Sequence, residues 1–133
     1  MKKIFRKSIS VLQEFKKKNP WKGRIPVRKE KFLWLNNKLN KIHSRNIRLK
    51  FRVPSKLNKW HASGYSNVNW NSQTIILRGR LSVITFLHEW GHILLGYSER
   101  HAQCFATKLF RKIFPKKWKK LTEWRFLVIK GRY

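Results

Sequence analysis

The sequence predicts a small α+β domain: a short, mostly antiparallel sheet, one central helix carrying a polar motif, and flanking helices. Three observations predict it. Leu81 to Gly96 reads as one strongly apolar helix. Ile47–Val53 alternates strictly between apolar and basic residues, and Thr74–Leu77 is a short apolar run, so both read as strands. Elsewhere the apolar residues recur at helical spacing within lysine- and arginine-rich segments. At 133 residues the chain fits one domain, 1–133, with enough aromatic and aliphatic residues for a modest core.

Taken in order, Lys2–Lys18 places Ile4/Phe5, Ile9, Leu12 and Phe15 near helical spacing, which makes residues 1–20 a basic amphipathic N-terminal helix and its exit. Such a helix packs on a domain body, lies on a membrane or binds nucleic acid; packing is the commonest. Asn19-Pro20-Trp21-Lys22-Gly23 breaks it, and Ile25-Pro26 extends the loop. A second helix is expected from about Arg28 to His43, burying Phe32, Leu35, Leu39 and Ile42, with Trp34 at the edge of that stripe. The strand Ile47–Val53 follows, with a positive outer face, closed by Pro54. Between Ser55 and Gln73 the chain is polar and turn-rich, with Ser63-Gly64 a turn and Tyr65, Val68 and Trp70 suggesting one or two short strands. Thr74–Leu77 is ended by Arg78-Gly79.

The central helix is expected to run from a Ser82 N-cap to a Gly96 stop. Ile84, Leu87, Gly91 and Leu94/Leu95 form its buried face, and on the margin of that face lies His88-Glu89-Trp90-Gly91-His92. Histidines four apart stand one turn apart on one side of a helix, so both imidazoles reach one ion. Zinc on three protein ligands keeps an open position, where water becomes acidic enough to attack a carbonyl near neutral pH. Glu89 projects beside the ion and is the candidate general base. The plain alternative is a helix that happens to carry two histidines. Scarcity counts against it: of only five acidic residues and five histidines, two acids and three histidines fall between 88 and 101.

The next segment offers a third ligand. Ser98 caps a helix over 99–110 whose apolar positions Ala102, Phe105, Ala106 and Leu109 run at i, i+3, i+4, i+7. Glu99 shares the Ala102 face, and the small alanines permit close packing that would carry it toward His88 and His92. His101 and Cys104, roughly a quarter to a third of a turn away, are the second choice. Glu99 could also be an ordinary first-turn acid favoured by the helix dipole. The loop residue His61 is a weaker ligand candidate, since lone loop histidines are usually solvated.

His88-Glu89-x-x-His92 followed by Glu99-x-x-Ala102-x-x-Phe105-Ala106 resembles the zincin metallopeptidases, particularly ImmA/IrrE-type and minimal gluzincin-like domains. The resemblance covers about 73–110 and is clearest over 81–110. It implies a zincin-like fold, Zn²⁺ held by His88, His92 and Glu99, Glu89 as general base, and a protein or peptide substrate. It also implies that a strand such as Thr74–Arg78 offers its edge to that substrate. The chain departs from the pattern in its short interval from His92 to Glu99 and in Gln103, where that family often has Asn or Asp.

The formal charge of +28, from 33 Lys and Arg against five Asp and Glu, would oppose compaction unless polyanions or counterions offset it. Nucleic acid or an anionic surface is the expected partner, and a basic nucleic-acid-binding protein on a zincin-like scaffold, with a structural or vestigial metal, is the alternative function. After Phe110, Pro115 permits a new helix start, and 115–133 reads as a basic C-terminal helix with Trp118, Leu121, Trp124/Arg125 and Leu127/Val128 at helical spacing. Aromatic residues among lysines suit nucleic acid as well as helix packing. A single cysteine excludes an internal disulfide framework and a Cys-rich zinc cluster. No apolar run reaches the roughly 18 residues of a membrane span, and the N-terminus lacks a signal-peptide core, so the expectation is cytoplasmic. The compact size and basic usage resemble those of phage-encoded proteins.

Overall fold

The computed structural model describes residues 2–52, 67–78 and 81–123, with side chains described to Lys120 in the last helix. The expectations for Val53-Pro54, His61, Ser63-Gly64, Tyr65, Gly79 and the Leu121–Val128 stripe fall outside these residues or side chains. The chain is a small α+β arrangement of α1 (Lys2–Lys17), α2 (Ile25–His43), β1 (Arg48–Arg52), β2 (Asn67–Asn69), β3 (Thr74–Arg78), α3 (Val83–Leu95), α4 (Glu99–Ile113) and α5 (Pro115–Glu123).

Helix α1 packs on α2 and α4 through Val11, Leu12 and Phe15, all buried. Helix α2 begins three residues earlier than the sequence reading placed it. Ile25-Pro26 is its first turn rather than loop, because a proline there forfeits only an amide that has no helical partner and presets φ. Phe32, Leu35 and Leu39 are buried as expected. Trp34 sits half-buried at the stripe's edge with the ammonium groups of Lys18 and Lys38 over its ring, 4.6 and 5.7 Å from the centroid.

The sheet is mixed rather than mostly antiparallel. Its order is β1-β3-β2, with five parallel residue pairs between β1 and β3 against three antiparallel pairs between β2 and β3. The four-residue turn Trp70–Gln73 makes β2 and β3 a local hairpin, which must be antiparallel. The β1–β3 pairing is non-local: it aligns Leu49 with Ile75 and Phe51 with Leu77, so the apolar sides of both strands coincide. Arg48, Lys50 and Arg52 face outward, as the alternation predicts.

Helix α3 lies at the centre. Nine of its thirteen residues are buried, so its apolar surface extends well beyond one face. Trp90, the largest fully buried side chain, donates from Nε1 to Asn36 Oδ1 at 3.0 Å, and Asn36 Nδ2 donates to the Ile47 carbonyl at 2.8 Å. Asn40 meets both backbone groups of Ile47 at 2.9 and 2.8 Å. This relay ties α2 to the start of β1 and to the middle of the polar motif. We expect Asn36→Ala to orphan the buried Trp90 N–H and destabilise the fold by about 1–3 kcal/mol, read as the denaturant midpoint. An unshifted midpoint would count against the relay. Nearby, Ser8 donates to the Ile4 carbonyl and accepts from His43 Nε2, both at 2.9 Å. Burial, reinforced by the charges of Lys7 and Arg45, lowers His43 to about 4 and keeps it neutral.

Candidate metal centre

Helix α3 holds His88, Glu89 and His92, and its ends are set locally. Ser82 Oγ accepts from the Thr85 amide at 3.2 Å, and the chain turns out at Gly96 with φ +93°, a conformation glycine adopts without strain. Two residues later Ser98 Oγ caps α4 by accepting from the His101 amide at 3.2 Å, so Glu99 opens the helix. The turn between the helices is short, and α4 folds back along α3.

How closely it returns is decided at Gly91. A Cβ built there would stand 2.8 Å from Ala102 Cα and 2.9 Å from Ala102 O. The absent side chain lets the backbone of α4 lie directly on α3. Ala102, Phe105, Ala106 and Leu109 are all buried along this seam. Glu99 comes first on the same face, and the approach brings it to the histidines.

There the two imidazoles and the carboxylate converge. His88 Nε2 is 2.9 Å from Glu99 Oε2, and His92 Nε2 is 2.9 Å from Glu99 Oε1. Ligand atoms of the three residues lie within 4.8 Å of one another, the one such His/Cys/Asp/Glu group found among the described residues. His101 is exposed and stays outside it, as does half-buried Cys104, so the second-choice ligands are not brought to this cluster.

The other ring nitrogens are also engaged. His88 Nδ1 donates to Gln103 Oε1 at 2.6 Å, and His92 Nδ1 donates to the Gly96 carbonyl at 2.9 Å. With Nδ1 protonated, a neutral imidazole presents its Nε2 lone pair inward. Two lone pairs facing one carboxylate at hydrogen-bond distance repel unless a positive charge lies among them. One divalent cation satisfies all three groups at once. The donor set, two imidazoles and a carboxylate each held from behind or by a helix end, fits a metal ion.

Glu89 differs from Glu99 in environment. Its residue is 5% exposed, whereas the Glu99 side chain is 75% exposed. Burial pushes the Glu89 carboxyl up to about 8, and the nearby charge of Glu99 acts in the same direction. A carboxyl whose proton affinity is raised by burial and a neighbouring negative charge would release its proton more readily if positive charge were added nearby.

Sequence reading missed Gln103 as a partner of His88. The available signal was its place four residues after Glu99, which puts both on the α4 face turned to α3. It missed Asn36 too, although a polar residue four after Phe32 on a buried stripe is a signal of the same kind. Strand β3 is the middle strand, taken by β1 on one side and by β2 over Thr74–Ile76 on the other, so it does not offer its length as a free edge. The outer strand there is β2, in contact with α3, and Trp70 of its turn meets exposed Tyr97 at 4.8 Å between ring centroids.

No protein-family model, curated protein or solved structure matches this chain. Among the described residues, no helix is long and apolar enough to cross a membrane.

Proposed function

We propose that this protein is a zinc-dependent peptidase of zincin-like architecture, with Zn²⁺ held by His88, His92 and Glu99. The observation that carries the reading is the convergence of both Nε2 atoms on the Glu99 carboxylate while both Nδ1 atoms are committed to carbonyl acceptors. Zinc in such a set supplies a Lewis acid that activates water and polarises a carbonyl. The chain's own residues do the rest. Gln103 and the Gly96 carbonyl orient the two imidazoles. Glu89, buried one residue after His88, takes a proton from the attacking water and passes it to the leaving amine. An extended peptide substrate would, in this reading, lie along β2 and the Trp70–Tyr97 pair. In this reading the protein works in the cytoplasm.

Elemental analysis of tag-free protein tests the metal. We expect about one zinc per chain, lost in His88→Ala; a chain without zinc even after reconstitution would remove the basis of the reading. A second reading is favoured by the charge of +28: a nucleic-acid-binding protein that keeps the metal as a structural element. A steep salt dependence of nucleic-acid binding, with no hydrolysis across a protein panel, would select it.

A further inference from the structure

We infer that the face formed by α1, the end of α4 and the start of α5 binds single-stranded nucleic acid, with Trp21 as a base-stacking platform. The inference rests on the polyanion reading of the charge and is independent of hydrolysis.

Two surface cavities lie along this face. One, of about 340 Å³, is bordered by Lys16, Trp21, Phe114, Lys116 and Lys117. The other, of about 410 Å³, is formed by Lys2, Phe5, Arg6 and Lys108. Each has an aromatic wall and a basic rim. At 100° per residue, the α1 contributors Lys2, Phe5, Arg6 and Lys16 fall on one side of the helix, whereas Glu14 lies about 130° round from their centre. Basic residues therefore dominate the α1 side of both cavities. Arg6 and Lys16 are ten residues apart, or about 15 Å along the axis.

Trp21 points to single strands. It is half-buried, and Phe114 and Phe110 pack nearly perpendicular to it at 4.9 and 6.2 Å between ring centroids, which fixes the plane of its ring. The Lys117 ammonium lies over the ring, 4.8 Å from its centroid. The ring is oriented by its neighbours, and an unpaired base stacking on it would displace the Lys117 ammonium from its face to meet the phosphates of the strand. Bases in a duplex are stacked internally and cannot enter such a cavity. At the far end of α4 from Phe114, some 22 Å along the helix by its rise per residue, stands Glu99. The track and the metal centre are thus separate sites on one chain.

The test is fluorescence anisotropy of a labelled 20-nucleotide poly(dT) strand, titrated with salt, using the full chain. Replacing Lys16, Lys116 and Lys117 together with Gln should flatten the log K against log [salt] slope by about 2. A control that replaces Arg48, Lys50 and Arg52 on β1 removes equal charge and should change the slope by much less. Trp21→Ala should weaken binding roughly 5- to 100-fold with little change in slope, and Trp21→Phe should restore most of the affinity. Restoration by phenylalanine, with an unchanged melting temperature, separates stacking from a folding defect. Equal losses in the two lysine and arginine triples would overturn the location while leaving the polyanion reading intact. No binding by the wild-type chain at low salt would sink both. Tighter binding to duplex DNA, or to phosphatidylserine vesicles, than to the single strand would overturn the assignment to single strands.

Discussion

Glu89→Gln should retain one metal per chain, melt no lower than the parent, and hydrolyse peptide substrate some 10²–10⁴-fold more slowly, the usual contribution of a positioned acid–base group. The three expectations have separate grounds. Metal should be retained because the atoms proposed to hold it belong to His88, His92 and Glu99. Stability is retained because burial already favours the uncharged form of Glu89, and glutamine is a neutral group of the same shape. Activity is lost because an amide cannot accept and return a proton at that position. Metal content, a thermal melt and turnover on a panel of unfolded proteins, made on the same preparation, check them together. Undiminished turnover in the variant would remove Glu89 from the mechanism while leaving the metal centre standing.

Gly91→Ala should damage both the fold and the site. The added methyl would meet the Cα and carbonyl oxygen of Ala102 at 2.8 and 2.9 Å. These are backbone atoms, so no rotamer change relieves the contact and the helices must move apart. Overpacking of this kind costs about 1–3 kcal/mol, which in a domain of this size lowers Tm by roughly 4–12 °C. The movement also reaches the ligands. Gly91 directly precedes His92, and Ala102 lies one turn after Glu99, so separating the seam draws the carboxylate from the imidazoles. We expect weaker zinc retention in a chelator competition as well as a lower Tm. Ala102→Gly in the same chain should rescue little, because it removes only the Cβ, 3.2 Å from the new methyl, and leaves Cα and O in place. A variant with parental Tm and metal affinity would show that the seam is looser than its geometry implies.

What the sequence by itself determined was local. Ser82, Gly96 and Ser98 set the ends of α3 and the start of α4, because caps and stops act within a turn of the residues they satisfy. The i, i+4 spacing put His88 and His92 on one side of α3, and the i, i+3, i+4 spacing put Glu99 on the alanine face of α4. The alternation in β1 sorted its outward basic residues from its inward apolar ones. The early start of α2 is also a local property, set by the proline in its first turn.

Only the tertiary structure decided what depends on partners distant in the chain. The direction of β1 against β3 follows from aligning Leu49 and Phe51 with Ile75 and Leu77 across more than twenty residues, and no local turn specifies that pairing. The burial of Glu89, and with it the upward push on its carboxyl, comes from packing around α3 rather than from the motif. The orientation of His88 depends on Gln103, fifteen residues away on another helix. Spacing along a helix places a side chain on a face. What that face meets, and which proton a ring nitrogen keeps as a result, is settled when the helices pack.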